Sequence, residues 1–201
     1  MRLELAAADL EAIRRHAEHS YPEECCGFLL GHGSGGGGAD SAALSSGGDA
    51  ASAAFLSGDA ASAAFLSGDA ASAASSSGDA ASAASLEEET KVERVVPAVN
   101  ERQDSRHNRF VISPATVLAA HKEARAAGLE VVGYYHSHPD HPAEPSEFDR
   151  EHAWPGLSYL IVSVREGRLD TARSWRLRDD RERFDEEPLA GGPTSPKKEA
   201  D

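Results

Sequence analysis

Cysteine is scarce: the chain holds 2 in 201 residues, and they are neighbours, Cys25 and Cys26. A trans peptide in a strand does not bring adjacent residues into disulfide geometry. With no third cysteine there is no bridge framework, so a reducing cytoplasm is the expected compartment. Basic residues are also in deficit, with 20 Lys and Arg against 34 Asp and Glu and a formal net charge of −14. No basic excess is present to neutralise phosphates, which argues against a nucleic-acid partner. The balance fits a soluble protein and would suit a salt-rich cell interior. No apolar run approaches the roughly 18–20 residues needed to cross a bilayer, so no membrane association is expected. The opening MRLELAAADLEAIRRH carries charges throughout and has no apolar stretch of signal-peptide length.

Lys and Arg are missing altogether between Gly33 and Thr90, where five Asp and three Glu contribute −8 of the net charge. The same stretch repeats a decapeptide four times: GGDAASAAFL (47–56), SGDAASAAFL, SGDAASAASS and SGDAASAASL, ending at Leu86. A unit of Ala, Ser, Gly and Asp cannot bury enough apolar surface to offset chain entropy. Residues 33–90 are therefore expected to form a flexible low-complexity insertion. A string of short Asp-capped helical turns is the alternative.

The remaining roughly 140 residues suffice for one domain with a sizeable core. DLEAIRRHAEHS spaces Leu10, Ile13 and Ala17 for one face of a helix. CCGFLLG predicts a short buried strand, and KVERVVPAVN and RFVIS predict two more. SPATVLAAHKEARAAG predicts a helix with Ser113 as N-cap, Pro114 at its first position and Gly128 as its stop. LEVVGYYHSH predicts a strand, SEFDREHAW a short helix, and LSYLIVSVREG with RLDTARSWRLRD a hairpin. Helices alternate with strands, so the expected class is α/β or α+β with a central sheet. The expected organisation is one domain over residues 1–187, interrupted by 33–90. The polar, Pro/Gly-rich residues 188–201 then form a disordered tail.

Chemistry concentrates in HSHPDHPAEPSEFD, residues 136–149. Side chains alternate faces along a strand, so His136 and His138 point the same way and Ser137 the other. Two imidazoles at that spacing can converge on one ion. Pro139, Pro142 and Pro145 stiffen the following loop. Ser146 then opens a helix with Asp149 one turn in. His136, His138 and Asp149 would complete the three-ligand set of a catalytic zinc site, one ion per chain. Ser146-x-x-Asp149 is equally a capping pattern that needs no metal. Hydrolysis also needs a proton shuttle. Glu23 and Glu24, at the mouth of the first apolar strand, are the candidates, since burial there tunes a carboxyl pKa. Cys26 reads as a small buried hydrophobe rather than a nucleophile. His141 reads as an exposed side chain rather than a ligand, and Trp154 as core packing.

A glutamate ahead of an apolar strand, then H-x-H, seven residues, S, two residues, D resembles the JAMM (MPN-plus) metalloproteases, in their small prokaryotic branch. Glu24-Cys25-Cys26-Gly27 matches that family's E-x-C-G form and selects Glu24 over Glu23. GYYHSHPDHPAEPSEFD and PGLSYLIVSV are also typical of the branch. The repeat has no counterpart there. The resemblance implies an MPN, cytidine-deaminase-like single domain, with a central mixed, curved sheet flanked by helices. It implies a zinc metallopeptidase with His136, His138 and Asp149 on the metal, Glu24 as general base and then acid, and Ser146 bonding the oxyanion. The implied substrate is a ubiquitin-like or sulfur-carrier protein, cut at the peptide or isopeptide bond after its C-terminal Gly-Gly. The alternative is a non-catalytic scaffold of the same fold that binds a ubiquitin-like partner.

Overall fold

Buried stripes and alternating strands set the architecture. A computed structural model describes residues 1–33 and 89–191. The decapeptide repeat and residues 192–201 lie outside the described residues. Among the described residues three helices, α1 (Ala7–Ser20), α2 (Pro114–Ala126) and α3 (Glu147–His152), accompany eight strands. The strands are β1 (Arg2–Glu4), β2 (Cys26–His32), β3 (Glu89–Ala98), β4 (Glu130–Pro139), β5 (Ser158–Arg165), β6 (Arg168–Leu177), β7 (Phe184–Glu187) and β8 (Leu189–Ala190). They form one mixed sheet in the order β7-β6-β5-β4-β2-β3-β1-β8.

The two ends of that order, β7 and β8, are separated in the chain by Pro188 alone. Pro188 has no N–H to continue the ladder towards β6, so the chain changes partner there. Its carbonyl accepts from Leu3 N at 2.9 Å, and the Ala190 carbonyl accepts from Leu5 N at 3.0 Å. The sheet thereby curves until it nearly closes on itself.

Each face of the sheet carries a core. On one, Leu10, Ile13 and Ala17 of α1 pack with Leu29, Val132, Tyr135, Leu160 and Val162. On the other, Val117, Ala120 and Ala124 of α2 pack with Phe28, Leu30, Val131 and Tyr134. Successive residues of β2 and β4 thus serve opposite cores, which explains their unbroken apolar runs. Each fully buried side chain contributes about 1.5–3 kcal/mol. In α2, Ser113 Oγ accepts from Thr116 N, Pro114 stands in the first turn, and Gly128 ends the helix at φ +73°.

Four expectations need correction. RFVIS joins no ladder: Val111 N donates to the Asn100 side chain and Val111 O accepts from Glu101 N. Its backbone groups are already satisfied by a loop, leaving nothing for a strand partner. The stretch 33–90, expected to be an insertion, overlaps β3 at its end, because Glu89 and Thr90 pair with β1. The tail does not begin at 188, because Leu189 and Ala190 pair with β1. Trp154 is 46% exposed rather than core, with the Arg181 guanidinium 5.6 Å from its ring centre. No helix among the described residues is long and apolar enough to cross a membrane.

Candidate metal centre

Strand register brings the distant glutamate to the histidines. Cys26 of β2 lies directly opposite His136 of β4. One step further, Ser137 N donates to Cys25 O at 3.0 Å and Cys25 N donates to Ser137 Oγ at 2.8 Å. Ser137 therefore faces away from the imidazoles and ties the two chain segments together. Glu24, the next residue back, emerges beside them and is 5% exposed.

His136 and His138 turn to the same side, with ring centres 4.8 Å apart and Nε2 atoms 3.0 Å apart. His138 Nδ1 donates to Pro142 O at 2.9 Å, which leaves its Nε2 as a lone pair. The proline-stiffened loop thus fixes the tautomer. Phe110 braces the His136 ring, with centres 4.9 Å apart. Asp149 arrives from α3, with Oδ1 3.3 Å from His136 Nε2 and Oδ2 3.7 Å from His138 Nε2. The capping box is present: Asp149 N donates to Ser146 Oγ at 3.1 Å, and Ser146 N donates to Asp149 Oδ2 at 2.7 Å. Ser146 Oγ also donates to Oδ2 at 2.6 Å. Cap and ligand are therefore not rival roles. The cap holds the carboxylate so that its other oxygen meets His136.

One donor atom from each of His136, His138 and Asp149 falls within a 4.8 Å span, and all three residues are buried. Two donors each about 2.0–2.1 Å from a tetrahedral ion stand about 3.4 Å apart. The Nε2–Nε2 separation of 3.0 Å and the His136 Nε2–Asp149 Oδ1 separation of 3.3 Å lie near that value, and His138 Nε2 stands 3.7 Å from the other carboxylate oxygen. Two imidazole nitrogens with one carboxylate oxygen is a catalytic zinc donor set. His136 Nδ1 is buried without a hydrogen-bond partner among the described residues. The residues present fit a divalent ion of the zinc class.

Charge reinforces the geometry. Burial pushes the Glu24 carboxyl up to about 8; the adjacent His136 opposes this and Asp149 adds to it. Burial also works against a charged Asp149, but the His136 charge, the hydrogen bonds from His136 and Ser146 and the neighbouring His138 together outweigh it and hold the carboxyl well below its usual range. His138 is driven down to about 4 by burial and by the charge on His136, so it is neutral and ready to ligate.

A family model described as prokaryotic homologs of the JAB domain matches residues 6–178. The chain belongs to this family. Over 67 residues it is 42% identical to a protein named desampylase from Haloferax volcanii, a match covering 33% of this chain and 47% of that protein. The chain thus spans about half the length of that relative. Two solved structures are similar across nearly the whole chain. One, from Desulfitobacterium hafniense, has 25% identity and a TM-score of 0.59, covering 96% of this chain and 94% of that one. The other, from Salinibacter ruber, has 30% identity and a TM-score of 0.54, covering 100% and 95%.

In this JAB-family chain the site opens into a cleft of about 390 Å³, lined by Glu24, His138, Ser146 and Asp149 among others. His141 stands at its exposed margin and is not one of the three convergent ligands. Cys25 and Cys26 are free and buried, and burial raises both thiols far from reactivity. Asn100 was not foreseen. Its Nδ2 donates to Glu24 O and Arg109 O, each at 3.1 Å, and its Oδ1 accepts from Arg102 N and Val111 N, each at 3.1 Å. Glu24 N in turn donates to Arg106 O at 2.7 Å. The loop from Val99 to Ser113 therefore clamps the glutamate's backbone. The available signal was an Asn two residues past the end of β3, a residue type that bonds local backbone groups readily.

Proposed function

We propose that the chain is a zinc-dependent metallopeptidase. It hydrolyses the bond after the C-terminal Gly-Gly of a ubiquitin-like or sulfur-carrier protein. The observation that carries this reading is the convergence of His136, His138 and Asp149 at the wall of a cleft that the buried Glu24 also lines. The likeness to a desampylase supports a ubiquitin-like substrate. Bound zinc would supply Lewis acidity for the scissile carbonyl and lower the pKa of a water molecule to about 7.

The protein groups do the rest. Glu24, with its pKa pushed up to about 8 by burial, holds a proton readily near neutrality. It can take one from water and return it to the leaving amine. The Ser146 hydroxyl lines the cleft next to the ligand Asp149, and its one proton, given to Asp149 Oδ2 at 2.6 Å here, would turn to the carbonyl oxygen as charge develops there. Gly-Gly suits such a cleft because no side chain keeps its backbone from the ligands. We place the protein in the cytoplasm, where two free cysteines persist.

The test is incubation with sulfur carriers bearing C-terminal extensions, followed by mass spectrometry with and without a chelator. Cleavage just past Gly-Gly, abolished by chelation and restored by zinc, is expected. About one zinc per chain is also expected, lost in His136→Ala. A protein that binds no metal would instead be a scaffold.

A further inference from the structure

The cleft is acidic, with Glu24, Glu144 and Asp149 on its walls, and Arg109 is the one Lys or Arg among its lining residues. Nearby arginines already have carboxylate partners. Arg102 lies 2.9 Å from Asp104, Arg106 lies 3.5 Å from Glu23, and Arg173 lies 2.8 Å from Glu144. Arg109 has no carboxylate partner among the described residues. Its guanidinium instead stacks over Phe148, with Cζ 4.9 Å from the ring centre. Arg109 and Phe148 line the same cleft as Ser146 and Asp149, so the cation faces the space that a substrate at those residues would fill. Its backbone is fixed as well, since Asn100 Nδ2 donates to Arg109 O and the adjacent Phe110 braces His136. Stacking on an aromatic ring positions a guanidinium while leaving its edge N–H donors unspent.

Resting on the function proposed above, we propose that Arg109 receives the free α-carboxylate of a single residue released from beyond Gly-Gly. The preferred substrate is then a carrier with a C-terminal one-residue extension rather than a side-chain amide. Hydrolysis places OH on the glycine carbonyl and H on the released amine. The α-carboxylate carbon lies two bonds, about 2.5 Å, from the scissile nitrogen, so it must enter the cleft with the scissile bond. There Arg109 is the one Lys or Arg of the lining, and its guanidinium is the group that can balance the added negative charge. A lysine-linked amide brings no anion to that position, because a methylene chain separates its nitrogen from the backbone. A planar guanidinium fork also matches a carboxylate bidentately.

The experiment compares three forms of one sulfur carrier ending in Gly-Gly-Ala: the free acid, the C-terminal carboxamide, and Gly-Gly joined to a lysine side chain. With zinc bound, the free acid should be cleaved about tenfold or more faster by kcat/KM than the other two, mainly through KM. Arg109→Gln should remove that preference, leaving the carboxamide rate and the zinc content unchanged, and Arg109→Lys should restore part of it. Arg109 is exposed, so these variants should fold. Equal rates for acid and carboxamide in the wild type, or an equal loss on both in Arg109→Gln, would overturn the inference while leaving the peptidase intact. No cleavage of any form would overturn the peptidase itself.

Discussion

Ser146 and Asp149 share one set of hydrogen bonds that serves both a helix end and a proposed metal ligand. Ser146→Ala should therefore do two separable things. As the proposed oxyanion donor its loss should lower kcat about 10²–10³-fold. As a cap its loss should cost about 1 kcal/mol of stability. Zinc content should hold, because Ser146 N still fixes Asp149; kinetics, metal analysis and a urea melt separate the effects. Glu24 makes a prediction of opposite sign. A carboxyl whose folded pKa lies above its unfolded value of 4.5 destabilises the fold once pH passes that value. The penalty is complete above about 8. In chelated protein, Glu24→Gln should thus be nearly neutral at pH 4.5 and stabilising at pH 9, by on the order of 3–5 kcal/mol. A stability difference that does not change with pH would contradict the burial of the charge. His136, His138, Ser146 and Asp149 were legible because they crowd into fourteen residues whose spacing is itself geometric. Asn100, Phe110 and Arg109 were not, because they act from a loop without periodicity, and only the fold brings it to Glu24.

At the scale of elements, the apolar runs of β2 and β4 declared themselves, but their register did not. Gly27 helps to set that register. A Cβ there would lie 2.3 Å from the Tyr135 ring and 2.5 Å from the Val96 carbonyl oxygen. The glycine lets the Tyr135 ring lie across β2, where its hydroxyl meets His16 Nδ1 at 2.8 Å. Gly27→Ala should lower stability by about 1–3 kcal/mol in chemical denaturation. It should also weaken zinc binding, because β2 carries Glu24 and faces His136. The misread strand RFVIS has the same lesson. Its apolar residues Phe110 and Ile112 are fully in the core, yet its polar backbone is satisfied by Asn100 and Glu101. Hydrophobic pattern reports burial, and only the hydrogen-bond partners distinguish a strand from a packed loop.

For the molecule as a whole, the near-closure of the sheet depends on three residues past Glu187 that composition assigned to a tail. Ending the chain after Glu187 removes the acceptors of Leu3 N and Leu5 N, together with the packing of Leu189. It should cost about 2–4 kcal/mol in a urea melt. Ending it after Gly191 keeps every one of those contacts and should be silent; equal stability of the two truncations would mean the closing strand contributes nothing.

The repeat, too, gains meaning from where it is rooted. His32 pairs with Lys91, so the chain departs and returns on adjacent strands. That junction stands at the far end of β2 from Glu24, roughly 20 Å from Cys26 along the strand. The junction is therefore a natural splice port. A fluorescent or affinity module grafted between Gly33 and Glu89 would start from the end of β2 opposite the cleft, reporting on the protein without standing in the doorway.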